Sequence, residues 1–265
     1  MKINLNHIPA AIRSQVAAAT GILKNHLTET LNSLHLYGSA LQGGLKPLSD
    51  IDLLVTVTAP LTDEVRAGLM TEILSVSAWP GTDPALRALE ITVLNLSEVK
   101  PWRYPALREL QFGEWLRQDI LNGIYEPAMT DPDLAILLTK ARMHNMPLLN
   151  DDAAAIFDAV PQTDLKRAFS ATLAQWNTPE DWENDECNII LALSRIAYTL
   201  TTGHIASKAD TAAWLAESIS DPHLQQLLLA AKHSYLTGES FPVFDKQTIS
   251  RCILSLRALC DEKLS

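Results

Sequence analysis

The stretch Leu34-His35-Leu36-Tyr37-Gly38-Ser39, followed after ten residues by Asp50-Ile51-Asp52-Leu53-Leu54-Val55-Thr56-Val57, decides how the first half of the chain folds. Leu34 to Tyr37 is a short apolar run, and Gly38-Ser39 stops it. Asp50 to Val57 is rich in β-branched residues and reads as a second strand. Side chains two apart on a strand leave the same face. Asp50 and Asp52 therefore project together, while Ile51 and Leu53 enter a core. Between the strands, Gly43-Gly44-Leu45-Lys46-Pro47 is a loop by its glycines and proline.

Outward from this stretch the pattern alternates. Upstream, Ile12, Val16, Ala19, Leu23, Leu27 and Leu31 recur at helical spacing, which predicts a helix over 10–33. Downstream, Thr62-Asp63-Glu64 opens a helix that runs to about Trp79, where Pro80-Gly81 ends it. Arg87 to Leu96 is a third strand. After Pro105 the spacing turns helical, with segments expected at 106–122, 134–145 and 153–160. Further helices are expected at 163–177, 180–202, 208–219, 222–236 and 247–262, with no strand among them. Thr178-Pro179-Glu180-Asp181 and Ser207-Lys208-Ala209-Asp210 both read as N-caps. The expected fold class is α+β. A small mixed β-sheet flanked by helices occupies 1–160, and an all-α helical bundle occupies 161–265.

The chemistry-bearing residues sit on the strands. Leu89, Ile91 and Val93 fill one face of the third strand and leave Glu90 and Thr92 on the other. An acid in mid-strand destabilises unless it is paired or bound to a cation. Two carboxylates side by side repel unless a cation lies between them, and a hard ion such as Mg²⁺ is held this way together with substrate phosphates. Small residues at Gly38-Ser39 let backbone N–H groups and a hydroxyl approach phosphate oxygens. An Asp-x-Asp alone is weak; Gly-Ser upstream and a third carboxylate on a later strand make the pattern specific.

Composition narrows the partners. The net charge is −10, with 12 Lys and Arg against 18 Asp and Glu up to residue 160, and 9 against 13 beyond it. Such a surface repels phosphate backbones, so no nucleic-acid partner is expected, and it attracts cationic small molecules. No apolar run approaches the roughly 20 residues that span a bilayer. The N-terminus lacks the pattern of a signal peptide, so no membrane partner and a cytoplasmic location are expected. Cys187, Cys252 and Cys260 form neither a C-x-x-C pair nor a disulfide framework.

Residues 34–95 resemble the DNA polymerase β-like nucleotidyltransferase superfamily. Leu36-Tyr37-Gly38-Ser39-Ala40, Ser49-Asp50-Ile51-Asp52-Leu53-Leu54-Val55, Pro101-Trp102-Arg103-Tyr104-Pro105, Gln111-Phe112-Gly113-Glu114-Trp115 and Gly123-Ile124-Tyr125-Glu126-Pro127 are similar to one branch of it. That branch is the aminoglycoside (3″)(9) adenylyltransferases, which act on streptomycin and spectinomycin. The likeness continues more loosely through Asp185–Thr202 to Ser207-Lys208 and ends short of both termini.

The resemblance implies an Mg-dependent nucleotidyltransferase domain over 1–160 and a helical domain over 161–265 that binds substrate and nucleotide. Asp50, Asp52 and Glu90 would bind magnesium, as two ions, beneath the triphosphate of ATP, and Glu90 would also be the general base beside the substrate. Gly38, Ser39 and Ser49 would join Asp50 and Asp52 at the nucleotide, with Arg195, Lys208 and Tyr235 from the second half. Trp115, Trp176, Asp181 and Asp185 would contact the drug. Each has a plainer reading. Arg195 is also a helix-surface cation, Lys208 a solvated first-turn residue, and both tryptophans are candidate helix core. Asp181 also completes the cap begun at Thr178, and Asp181 and Asp185, four apart, are expected on one helix face. The leading expectation is ATP-dependent adenylylation of both drugs by a monomer. A spectinomycin-only enzyme and a catalytically silent nucleotide-binding regulator are the alternatives.

Overall fold

The computed structural model describes residue 5 and residues 7–42 and 44–264. By contacts the chain divides into two compact units, Met1–Pro161 and Gln162–Ser265. The class is α+β.

The first unit begins with α1 (Arg13–His26), β1 (Leu31–Tyr37) and β2 (Ile51–Val57). It continues through α2 (Asp63–Ile73), β3 (Leu89–Asn95), α3 (Leu96–Val99), β4 (Ala106–Arg108) and β5 (Leu110–Phe112). It closes with α4 (Arg117–Leu121), β6 (Met129–Asp131), α5 (Leu134–Met143), β7 (Asn145–Leu149) and α6 (Ala153–Ile156). Five strands form one mixed sheet in the order β5-β3-β2-β1-β7, and β4 pairs with β6 in a separate ribbon. Among the described residues only β2 and β3 pair in parallel, and α2 makes their crossover. Thr62 starts α2 by accepting from Val65 N at 3.3 Å, with Asp63 and Glu64 in its positive first turn.

Alternation along the central strands sorts side chains to two cores. Leu34, Leu36, Ile51, Leu53, Val55, Leu89, Ile91 and Val93 pack beneath α1 and α2. Tyr37, Leu54 and Leu94 face the other way, into a cluster with Leu134 and Leu138 of α5 and Phe157. Both faces are thus covered, which explains why β2 is apolar at nearly every position.

The second unit contains α7 (Gln162–Leu173), α8 (Glu186–Thr202), α9 (Lys208–Ser218), α10 (Pro222–Thr237) and α11 (Lys246–Leu264). The central α8 packs against α9, α10 and α11 through Ile189, Ile190, Leu193 and Ile196, all buried. Ser207 caps α9 by accepting from Asp210 N, and Asp221 caps α10. Among the described residues, no helix is long and apolar enough to cross a membrane.

Several sequence expectations need correction. The segment 106–122 is two short strands, a 3-10 turn and a one-turn helix, because Leu110-Gln111-Phe112 pairs with β3 instead of coiling. Asn145–Leu149 is an edge strand, and an edge tolerates Pro147. The first helix stops at His26, and Leu31 already belongs to β1. The second helix gives way to a 3-10 turn at Leu74–Val76. Asp50 lies one residue before β2. The helix expected over 180–202 is split: Pro179–Asp181 is a 3-10 turn and α8 starts at Glu186. Asp181 and Asp185 therefore do not share a helix face.

Candidate active site

Strand register brings three polar groups into one row. Tyr37 lies opposite Asp52 in the antiparallel β1–β2 pair, and Asp52 lies opposite Glu90 in the parallel β2–β3 pair. Directly paired residues project from the same face, so the phenol and both carboxylates emerge side by side. The Tyr37 phenol is buried. Burial first, then the negative Glu90 and Asp52, push its pKa well above the ordinary value, so it remains a protonated donor.

Gly38 follows directly with φ +72°. A Cβ there would come within 2.6 Å of Asp52 Cγ and closer still to its Oδ2. Both the left-handed backbone and the close approach of the carboxylate require glycine. Ser39 follows within the half-buried start of a 3-10 turn, Gly38–Ala40.

The loop before Asp50 is braced from below. Arg87 Nη1 donates to the carbonyls of Lys46 at 2.8 Å, Pro47 at 3.2 Å and Ser49 at 3.0 Å. Arg87 is itself fixed through its backbone, whose N–H and carbonyl both bond the Gln15 amide of α1. Ser49 is buried, and its hydroxyl accepts from Lys46 N at 3.0 Å, so it closes this turn. This bond accounts for its burial, and the nucleotide contact expected of it is a separate role.

Beyond Glu90 the polar row continues through residues whose part the sequence reading missed. Gln111 Nε2 donates to Glu90 Oε1 at 3.3 Å. Gln111 Oε1 accepts from Thr92 Oγ1 at 2.9 Å and Arg108 Nη1 at 3.4 Å. Arg108 is anchored by Asp131 at 3.0 Å and Glu126 at 3.3 Å. Gln111 sits between apolar Leu110 and Phe112, and that alternation is the sequence signal that a short strand presents it.

Trp115 stands three residues after the end of β5 and is 55% exposed, so it is not core. Its ring lies against Gly113: a Cβ there would come within 2.5 Å of Cε3 and closer to Cζ3 and Cη2. The intervening Glu114 is buried and accepts two bonds from Arg117, at 2.6 and 2.9 Å. It also accepts from the Ser77 hydroxyl. Arg117 continues to the carbonyls of Leu74 and Ser77, and the adjacent Glu114 carboxylate raises its pKa. The exposed ring is therefore carried on a clamped base.

In the second unit, Asp185, Asn188, Lys208 and Tyr235 come together. Asn188 Nδ2 donates to Asp185 Oδ1 at 2.8 Å, and Lys208 Nζ donates to Asn188 Oδ1 at 3.4 Å. Lys208 also lies 5.7 Å from the Tyr235 ring centroid. Arg195 is half-buried on α8. Trp176 follows α7, half-buried, and its carbonyl accepts from Arg257 Nη1 at 2.9 Å. Asp181 Oδ2 accepts from Asn177 N at 2.7 Å and Thr178 N at 2.8 Å, and these bonds lower its pKa. The cap role of Asp181 is thus visible in the geometry.

Asp52 and Glu90, with Asp50 just upstream, are all-oxygen donors of the type that suits a hard divalent cation. Mg²⁺ keeps several waters and takes one or two carboxylates plus substrate phosphates, so it needs no closed protein cage. Among the described residues, no three His, Cys, Asp or Glu side chains already form such a cage. The second feature is glycine at 38, which lets the backbone of this turn lie directly against Asp52 Oδ2 and so sets the loop beside the carboxylates.

Residues 155–256 match the model of the aminoglycoside adenylyltransferase C-terminal domain. The chain is 50% identical over 230 residues to an aminoglycoside (3″)(9) adenylyltransferase of Klebsiella pneumoniae, covering 87% of each chain. It is 38% identical over 227 residues to a spectinomycin 9-adenylyltransferase of Staphylococcus aureus, covering 86% of each. A crystal structure of spectinomycin adenyltransferase from Enterococcus faecialis with ATP and spectinomycin superposes with a TM-score of 0.87 at 31% identity. That likeness covers 94% of this chain and 98% of the other. With the carboxylate row on its sheet and these relatives along most of its length, the chain belongs to the aminoglycoside adenylyltransferase family.

Proposed function

We propose that this protein transfers the AMP group of ATP to a drug hydroxyl, the 3″ of streptomycin and the 9 of spectinomycin, releasing pyrophosphate and conferring resistance. The observation that carries the reading is the paired Asp52–Glu90 row beside Gly38 in a chain with these relatives. The acceptor oxygen attacks the α-phosphorus, a new P–O bond forms, and the bond to the β-phosphate oxygen breaks. Glu90 takes the hydroxyl proton, which general-base chemistry requires of a group within hydrogen-bond reach. Mg²⁺, held by Asp50, Asp52 and Glu90, would supply charge neutralisation at the phosphates and lower the pKa of the acceptor hydroxyl.

Gly38 and Ser39 offer backbone and hydroxyl donors to phosphate oxygens. Lys208, in the first turn of α9, adds a cation to the positive end of that helix, a combination suited to an anion. Arg195 and Tyr235 are assigned to the nucleotide with it. Asp185 and Trp115 suit a cationic sugar, the acid pairing with ammonium or guanidinium groups and the ring stacking on a sugar face. Trp176 belongs with them. Asp181 is retained as a drug contact, although its carboxylate also caps the 3-10 turn. The ligands are small molecules; the net charge of −10 disfavours nucleic acid.

The test is pyrophosphate release by purified protein given ATP, Mg²⁺ and each drug. Release with both supports the proposal, release with spectinomycin alone narrows it to the 9-hydroxyl, and release with neither overturns it. Trp176 and Asp181 favour the two-drug form, since streptomycin carries guanidinium groups that spectinomycin lacks and both residues would be dispensable for spectinomycin alone.

A further inference from the structure

The geometry points to Gln111 as a positioning residue that aims the Glu90 carboxylate at the acceptor hydroxyl, with Thr92 and Arg108 fixing which way its amide faces. This rests on Glu90 being the general base. A glutamine amide can sit in either of two orientations, and its neighbours decide which one holds. Here Arg108 approaches one end of the amide at 3.4 Å, and arginine has no acceptor. The Thr92 hydroxyl approaches the same end at 2.9 Å. That end must therefore be the oxygen, which turns the NH₂ group toward Glu90 Oε1 at 3.3 Å.

The surroundings keep this arrangement. Thr92 is fully buried, and Gln111 is 8% exposed. Glu90, Thr92 and Gln111 are locked by strand pairing, since Thr92 lies directly opposite Gln111 in the β3–β5 ladder. Arg108, on the neighbouring ribbon, is fixed by Asp131 and Glu126. A rotatable glutamate is thereby tied at one oxygen to a side chain that cannot turn over. A fixed base is worth more than a mobile one, because small misplacements of a reacting group slow the step steeply.

The test compares Gln111→Met, which keeps length without polar atoms, with Gln111→Glu, which keeps an acceptor for Thr92 and Arg108 but replaces the donor toward Glu90 with a second, repelling carboxylate. Both should lower kcat roughly 10–100-fold, the range for partners that orient a reacting group, and leave KM for ATP and drug unchanged. Thr92→Val should lower kcat less, and Thr92→Ser should restore it. Calorimetry should show wild-type affinity for ATP and spectinomycin in every variant. In a Glu90→Gln background, Gln111→Met should add no further loss, because both act through one group. Wild-type kcat in both Gln111 variants, with Glu90→Gln inactive, overturns the positioning role alone. Full turnover by Glu90→Gln overturns the assignment of the base instead. Weakened binding, or an added loss in the Glu90→Gln background, overturns the proposal in favour of a packing role.

Discussion

In the first unit Tyr37, Asp52 and Glu90 occupy paired positions on three hydrogen-bonded strands, and Gln111 and Thr92 extend the row. In the second unit Asp181 sits on a 3-10 turn, Asp185 just before a helix, Lys208 in the first turn of another and Tyr235 near the end of a third. The first set is held by backbone register, so each group is placed to within a side-chain torsion. The second set is held by helix starts and by its own side-chain contacts, and much of it is exposed. The contrast matches the tasks proposed for them. Attack at phosphorus tolerates little displacement, whereas recognition of a polycationic sugar by charge and stacking tolerates more.

The sharpest way to break that contrast is Gly38→Ala. An alanine there must take a left-handed backbone, at roughly 1–2 kcal/mol, and its Cβ would displace the Asp52 carboxylate. We expect kcat to fall at least about 100-fold while drug affinity stays, checked by steady-state kinetics and calorimetry. Unchanged kcat would show that the closeness of Asp52 is incidental.

Gly113→Ala probes the more tolerant kind of contact. The backbone at Gly113 is extended and accepts alanine, and the nearest atoms the added Cβ would meet belong to the exposed Trp115 ring. The ring should swing aside, raising KM for the drug about 5–20-fold, in line with loss of one stacking contact, with KM for ATP and Tm little changed. A large fall in Tm would instead make Trp115 a packing residue.

Asp181→Ala separates the two assignments of that residue. If the cap dominates, Tm falls while kcat/KM for both drugs holds; if drug contact dominates, streptomycin turnover falls first. Both effects together are expected, with the loss in Tm the clearer, because its carboxylate is already committed to Asn177 N and Thr178 N.

The smallest effect concerns pH. Burial lowers the pKa of His35, against the raising influence of its bond to the Asp151 carbonyl. The folded state therefore binds this proton less readily than the unfolded chain. Its stabilising contribution is fully present above the ordinary imidazole value of 6.5 and is lost as pH falls below it. Denaturant midpoints from pH 7.5 down to about 5 should decline, and His35→Gln should flatten that decline.

The sequence showed the chemistry more plainly than the framework around it. Asp52 and Glu90 were legible because a period of two on an apolar strand makes an acid conspicuous. What a strand-by-strand reading lacked was the partner register, so Tyr37 entered only as the end of a strand. Gln111 was hidden because the single apolar–polar–apolar alternation of the three-residue β5 is outweighed by its neighbours Leu107 and Leu110, which mimic helical spacing. Pairing with β3 overrides that local preference. The shared helix face expected of Asp181 and Asp185 failed for a related reason: a proline-led 3-10 turn and the helix that follows it look like one helix until the turn at 182–185 is seen.

The most direct test of the account is Glu90→Gln, titrated calorimetrically with ATP and with each drug and then assayed for pyrophosphate. The substitution keeps the size of the side chain and removes its negative charge, hence its capacity to take a proton and its share in holding Mg²⁺, leaving Asp50 and Asp52 for the metal. The account predicts that ATP and both drugs still bind, while turnover drops by about 10²–10⁴, the usual contribution of a general base. Turnover near the wild-type rate would contradict it.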